Sequence, residues 1–325
     1  MNTFAEIGEL INKCNFICII GHDKIDGDAM GSILGLGITL KKLGKSVNIF
    51  APSNETNYLK FIREGKNIKT EFDYKNYDLI IICDCAEPKM IKKFWDKNEE
   101  YFKKSNILVL DHHVQTNSFG NYDFVDTTYS SCCEIVLDLI ETNWKESIDS
   151  KIASLLFLGL TTDTNNFVNT NVTPNTFLNG KKLLEYGAKR EMILEKLYNN
   201  KSFKSIEANS VVLLRTKKMK HFLYTYFSKQ ELEKMGVSKD EMGDSKEYIR
   251  QIKDKKMSIV FYIDGSNING SIRSKNHKAQ LVASSLFGGG GHTNASGFNV
   301  NIENDPIEEI RLITEKIDKF LDNNH

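Results

Sequence analysis

Four times in the first half of this chain a short apolar run leads into a histidine or an aspartate. Phe16 to Ile20 runs into His22, with Asp26-Gly27-Asp28 just beyond. Leu79 to Cys83 ends at Asp84, Ile107 to Leu110 ends at Asp111-His112-His113, and Leu155 to Leu160 is followed by Asp163. Near-continuous apolar runs of this length belong to strands or helices buried on all sides. In open α/β sheets, sites form in the crevice outside the carboxyl ends of the strands. The pattern therefore predicts buried elements that deliver ionisable groups to one place. Carboxylates gathered there repel one another and take up protons unless cations hold them ionised, so the group reads as a two-metal site. Asp and His ligands without cysteine suit manganese, iron or zinc, whereas magnesium uses fewer imidazoles. A bridging carboxylate holds two ions roughly 3.5–4 Å apart, a spacing suited to phosphoryl transfer to water.

The rest of the first half alternates strand-like and helix-like segments, as a parallel sheet with crossover helices does. Helices are expected at Ala29 to Leu43, Pro88 to Lys104, Ser130 to Thr142 and Lys151 to Thr162, with a further strand at Val47 to Phe50. Pro174 to Tyr186 and Arg190 to Tyr198 read as two more helices, with Gly187 as the stop between them. The spacing predicts a larger domain over 1–198, a polar linker over 199–205 and a smaller α/β domain over 206–325. Strands of the second domain are expected at His221 to Phe227, Met257 to Ile263 and Asn269 to Arg273, the last two joined by the turn-forming Asp264-Gly265-Ser266-Asn267. Its helix from Lys278 to Phe287 ends in a glycine run. Met1 to Cys14 and Pro306 to Leu321 are expected as terminal helices.

At 325 residues the chain is long for one core and suits two. With 40% hydrophobic and 26% charged residues it is an ordinary folded globular chain. Its 43 basic and 43 acidic residues give zero formal net charge. That argues against a protein that grips long duplexes through many Lys and Arg contacts to phosphates, and it leaves room for a mononucleotide or a short single strand in a local pocket. The longest apolar stretch, Ile152 to Leu160, is too short to cross a membrane. Met1 to Leu10 has two glutamates and neither the basic nor the apolar region of a secretory signal, so the expectation is a cytoplasmic protein without a membrane partner. Cys14, Cys18, Cys83, Cys85, Cys132 and Cys133 lie mostly inside apolar runs without C-x-x-C spacing, which reads as buried thiols rather than a zinc site.

Taken singly, several motifs have a plainer reading. His22, Asp26 and Asp28, with Gly27 and Gly31, could be a polar loop with incidental carboxylates. Asp84 could cap a helix starting near Pro88, and Asp163, in Thr161-Thr162-Asp163-Thr164, could be a helix end with local caps. Asp111-His112-His113 is more specific, because two adjacent imidazoles behind a buried strand are rarely needed for packing. There Asp111 would orient an imidazole, and His113 would contact the scissile phosphate or protonate the leaving oxygen. Glu134 is a weaker candidate for a supporting role. Gly288 to Gly291 followed by His292 offers unhindered backbone N–H groups for an anion. Arg273 reads equally as a phosphate fork and as a solvated strand arginine. The lysine clusters at 217–220 and 253–256 read as solvated faces.

Together these motifs resemble the DHH phosphoesterases. Gly288-Gly289-Gly290-Gly291-His292 followed by Ala295-Ser296-Gly297-Phe298 looks like the glycine-rich signature of the DHH-associated C-terminal domain, so the resemblance runs from His22 to Phe298. It implies an α/β, two-domain fold with the active-site cleft between the lobes. It also implies that His22, Asp26 and Asp84 hold one metal while Asp28, Asp84, His112 and Asp163 hold the other, with Asp84 bridging. Arg273, His292 and the glycines Gly289, Gly290 and Gly291 would then read the substrate's phosphate. Length and tail look like the oligoribonuclease and pAp phosphatase branch. RecJ exonucleases are longer, family II pyrophosphatases carry another C-terminal domain, and the membrane-tethered cyclic-di-AMP enzymes add segments this chain lacks.

The expectation is therefore a manganese-dependent hydrolase with two divalent ions, a short single-stranded RNA or pAp as substrate, and a homodimer by resemblance. The alternatives are a phosphodiesterase for the linear dinucleotide pApA, a silent nucleotide-binding module, or a single-strand binder. The last lacks the basic and aromatic stripe such proteins use.

Overall fold

A computed structural model of the chain describes residues 2–114, 118–276, 278–291, 293–302 and 305–324. The chain divides into two compact units, Met1–Asn199 and Asn200–His325. The first is built on a sheet of six strands: β1 (Phe16–Ile20), β2 (Ser46–Phe50), β3 (Ile68–Lys69), β4 (Leu79–Cys83), β5 (Ile107–Asp111) and β6 (Tyr122–Val125). Every pairing is parallel and the order is β3-β2-β1-β4-β5-β6. The order reverses between β1 and β4, and such a switch point is where doubly wound sheets open a crevice at their carboxyl ends. His22 follows β1 and Asp84 follows β4, so the two flank that point.

The apolar runs become strands because both faces of this sheet are covered. On one face Ile17, Ile19, Ile81 and Leu108 pack with the helices Phe4–Lys13, Gly27–Lys42, Cys132–Trp144 and Ser150–Asp163. On the other, Cys18, Ile20, Ile80 and Val109 pack with Phe50, Phe72, Phe94 and Phe102. All six cysteines are free and buried.

Helix Gly27–Lys42 lies unusually close to Ser150–Asp163. A Cβ on Gly31 would collide with the Leu155 carbonyl, and one on Gly159 would come within 2.7 Å of Asp28 Oδ1. Glycines at the crossing let two backbones approach where side chains would hold them apart.

The second unit carries a mixed sheet, ordered β11-β12-β10-β9-β8-β7. Its strands are β7 (Lys217–Lys218), β8 (Phe222–Ser228), β9 (Met257–Asp264), β10 (Asn267–Ser274), β11 (Gly290–Gly291) and β12 (Ala295–Asn301). Helices Ala279–Phe287 and Pro306–Asn323 cover one face. Helices Phe203–Leu214, Lys229–Met235 and Gly243–Gln251 cover the other.

Three expectations are corrected. Pro88 to Lys104 is not one helix: a 3-10 turn Pro88–Ile91 and a single turn Lys92–Trp95 precede Glu99–Lys104, which Asn98 caps anew by accepting the Tyr101 N–H. The stretch 199–205 is not all linker, since Ser202 caps the helix that starts at Phe203. The glycine run does not leave all of its backbone N–H groups unhindered for an anion. Gly288 ends its helix with φ 62, its N–H and that of Gly289 donate to Ser284 and Ala283 carbonyls, and Gly290 and Gly291 pair as β11 with β12. His292 lies outside the described residues. No helix among the described residues is long and apolar enough to cross a membrane.

Candidate metal centre

Asp84 stands at the middle of the cluster. It is the first residue after β4, its N–H donates to Leu110 O, and its φ of 59 puts it in the left-handed region. A non-glycine residue held there stores strain that surrounding structure must over-determine, a condition met most often at functional sites. The turn aims the carboxylate back across the strand ends. Asp84 Oδ2 lies 3.4 Å from His22 Nε2, and Oδ1 lies 3.5 Å from His112 Nε2. One oxygen thus faces each of two imidazoles.

Around His22, Asp26 Oδ1 is 3.5 Å from Nε2. The other ring nitrogen, Nδ1, is 2.6 Å from Asp23 O. As donor to that carbonyl, Nδ1 leaves Nε2 as the nitrogen that can bind a metal once it has lost its proton. Asp26 also caps helix Gly27–Lys42, accepting from the Asp28 and Ala29 N–H groups. Around His112, Nε2 faces Asp28 Oδ2 at 3.6 Å and Asp163 Oδ2 at 3.4 Å. Asp28 is fully buried and accepts the Cys132 and Cys133 N–H groups at 2.6 and 2.9 Å, at the N-terminus of helix Cys132–Trp144. Asp163 ends its helix, and its carbonyl is held by the Asn169 and Asn171 side-chain amides.

These residues fit divalent cations. Separations of 3.4–3.6 Å exceed good hydrogen bonds. Two donors each roughly 2.0–2.2 Å from a common ion sit about 3–3.5 Å apart. Asp84 Oδ1 and His112 Nε2 are buried without a hydrogen-bond partner, which is costly unless something else satisfies them. Donor atoms of His22, Asp26 and Asp84 fall within 4.8 Å of one another, as do those of Asp28, His112 and Asp163. Among the described residues no Lys or Arg forms an ion pair with any of these carboxylates, whose partners are imidazoles.

The metal-free cluster therefore holds protons. Burial alone would lower the His22 and His112 imidazoles, but the facing Asp26 and Asp84 carboxylates raise His22 to about 11, and Asp84 with Asp28 raises His112 to about 10. Burial pushes Asp163 up to about 7 and Asp28 well above the usual carboxylate range, with Asp84 adding to both. Asp84 is held low, because attraction to the His112 and His22 imidazoles outweighs its burial.

His113 differs from its neighbour. Its Nδ1 lies 2.9 Å from Asp111 Oδ1, an oxygen that also accepts the His112 and His113 N–H groups. Asp111 is fully buried, so it orients His113, whose ring remains about a third exposed. Burial lowers this imidazole, but the Asp111 hydrogen bond more than offsets it, so it is raised.

Residues 16–160 match the DHH family, N-terminal domain, and residues 220–323 match the DHHA1 domain. The chain belongs to the DHH family. It is 26% identical to the bifunctional oligoribonuclease and PAP phosphatase NrnA of Bacillus subtilis (strain 168), over 91% of this chain and 93% of that one. It is also 26% identical to the protein of the same name from Mycoplasma pneumoniae (strain ATCC 29342 / M129 / Subtype 1), over 97% of each. Its fold is similar to the crystal structure of an exopolyphosphatase-related protein from Bacteroides fragilis, with a TM-score of 0.88 and 25% identity, covering 97% of this chain and 95% of that one.

In this DHH chain the sequence reading missed several residues around the cluster. Tyr58 has an exposed ring while its hydroxyl, raised to about 12 by burial first and by Asp26 next, is tucked toward Gly27. It lies in a segment with no periodic signal. Asn169 and Asn171 were likewise passed over, and nothing in their local pattern marks them. Glu134 accepts from Ser130 and from Asn179 Nδ2 at 3.1 Å, so it braces the loop before Cys132–Trp144. In the second unit Arg273 is half-buried, and its Nη1 donates to the Ile272 carbonyl at 3.1 Å.

Proposed function

We propose that this chain is a manganese-dependent phosphoesterase that degrades short oligoribonucleotides to 5′-mononucleotides and hydrolyses 3′-phosphoadenosine 5′-phosphate (pAp) to AMP. The observation that carries the reading is Asp84, which presents one carboxylate oxygen to His22 and the other to His112. In this proposal His22, Asp26 and Asp84 bind one ion, and Asp28, Asp84, His112 and Asp163 bind the other. The substrate class is supported by relatives named oligoribonuclease and PAP phosphatase that align along nearly the whole chain. Cytoplasmic residence and a homodimer belong to the same proposal.

The ions would supply Lewis acidity and bring a water's pKa toward neutrality beside the phosphorus. The chain's own contribution is positional. Strand ends fix the ligand imidazoles, and Asp111 holds His113 by Nδ1, leaving Nε2 to give a proton to the departing oxygen. The hydrogen bond to Asp111 raises the His113 pKa and so favours the protonated form that a general acid needs. Arg273 would bind the substrate's terminal phosphate, with Gly290 and Gly291 beside it. The Gly289 N–H is engaged by Ala283 and takes no direct part.

The test is turnover with manganese of pAp, pApA, a five-nucleotide RNA and cyclic-di-AMP, with products separated by chromatography. Phosphate from pAp together with mononucleotides from RNA is the expected result. A strong preference for pApA would move the chain to linear-dinucleotide hydrolysis, and no turnover of any substrate would leave a silent binding module.

A further inference from the structure

On helix Gly243–Gln251 the stripe turned toward the sheet carries buried Ser245 and Ile249, with buried Met242 at its N-cap. Lys246 belongs to the same stripe, four residues after Met242 and three before Ile249, and it is half-buried. Residues spaced three and four apart share a helix face. The helix packs on β9 and β10. Side chains alternate along β10, so Ile268 and Ile272 enter the core on the opposite face while Ser271 and Arg273 turn to this one. In register Ser271 pairs with Val260 and Arg273 with Ser258, and Val260 shares a core cluster with Ile249. Lys246 and Arg273 therefore come to one side of the sheet. β12 sets Ala295 opposite Arg273 and Ser296 opposite Gly291, so the glycine strand borders the same end.

Among the described residues Lys246 makes no hydrogen bond or ion pair, and Arg273 bonds only its neighbour's carbonyl. Glu247, one residue along, is engaged by Arg250 at 3.0 and 2.8 Å, and Lys239 lies 4.0 Å over the Tyr262 ring. Burial lowers the Lys246 ammonium from its usual pKa, the Arg273 and Lys239 charges lower it further, and the Asp240 carboxylate only partly offsets them. Burial does the same to Arg273. Two half-buried cations of one sign, whose carboxylate neighbours Asp240 and Glu247 offset their burial only in part, oppose folding, and such local conflicts are kept where a ligand resolves them.

We propose that Lys246 and Arg273 together form an anion site that takes a phosphomonoester dianion. Arg273 supplies a planar fork and Lys246 a compact point charge, a pairing suited to two negative charges on one phosphorus. The inference rests on the phosphoesterase reading above and deepens it, making Lys246 a determinant of preference for substrates that end in a phosphate.

The experiment uses the full manganese-loaded chain and two diribonucleotides of one sequence, one with a 5′-phosphate and one with a 5′-hydroxyl. Lys246→Met is expected to raise KM for the phosphorylated substrate by about tenfold, the loss of one charged hydrogen bond. kcat and the KM for the hydroxyl substrate stay unchanged, and Lys246→Arg retains most of the wild-type KM. Lys246→Gln serves if the methionine variant misfolds. Because an unpaired charge is removed, the variant should melt at the same or a higher temperature, and inorganic phosphate should raise the wild-type Tm more than the variant's. Equal KM changes for both substrates, no change for either, or equal phosphate-induced Tm shifts would overturn the site. If the wild-type chain turns over neither substrate, the phosphoesterase reading fails, and the Tm comparison still decides the anion site.

Discussion

Loading this chain with manganese should release protons, and their number follows from the cluster. His22 and His112, raised to about 11 and 10, lie well above pH 7.5. At that pH each is more than two units below its pKa, so roughly 99% of molecules carry each proton. An imidazole must be neutral to bind a metal, so filling both positions should expel about two protons per chain. Asp163, raised to about 7, is partly protonated at pH 7.5 and more so as pH falls. The count should therefore climb toward pH 6, and Asp28, raised in the same direction, can only add to it. Calorimetric titration of the metal-free chain in buffers of different ionisation enthalpy reads the number directly, as the slope of apparent enthalpy against buffer enthalpy. A slope below about half a proton at pH 7.5 would mean that these imidazoles are neutral without metal, or that they are not ligands.

Three further perturbations probe other parts of the account. Asp84→Ala should abolish turnover and reduce bound manganese below two ions per chain by elemental analysis, and full activity would remove the bridging role. His113→Ala should lower kcat by about 10²–10⁴, the usual range for a lost general acid, and much less with a p-nitrophenyl ester whose leaving group needs no proton; equal losses on both would point to a structural role. Gly159→Ala places a methyl within 2.7 Å of Asp28 Oδ1 and against Cys133 Sγ. Overpacking of that kind destabilises by about 1–3 kcal/mol and should show as a lower Tm, whereas an unchanged Tm would mean the helices separate freely.

What the sequence made legible depended on burial. β1, β4 and β5 are covered on both faces, so their apolar runs have no polar alternation to obscure them, and His22, Asp84 and Asp111 follow as strand-end residues. β6 escaped notice because it is an edge strand with Phe124 as its one buried residue. The segment from Pro88 kept helical spacing in Ile91, Phe94 and Phe102, yet Asp96-Lys97-Asn98 interrupts it and Asn98 restarts the helix. Helices Lys229–Met235 and Gly243–Gln251 are short and polar, each burying a narrow stripe, and composition alone makes such segments look like solvated charge. At the site, residue type and position marked the ligand cluster. Glu134 was legible as a supporting residue, whereas Asn171 and Asn179 act through contacts over long sequence separations that no local pattern records.

The most direct test of the two-ion centre is a crystal of the chain grown with manganese, with anomalous scattering recorded at the manganese edge. The account predicts two peaks roughly 3.5–4 Å apart, with one Asp84 oxygen on each, His22 on one ion and His112 on the other. A single peak, or two peaks not joined by Asp84, would contradict it.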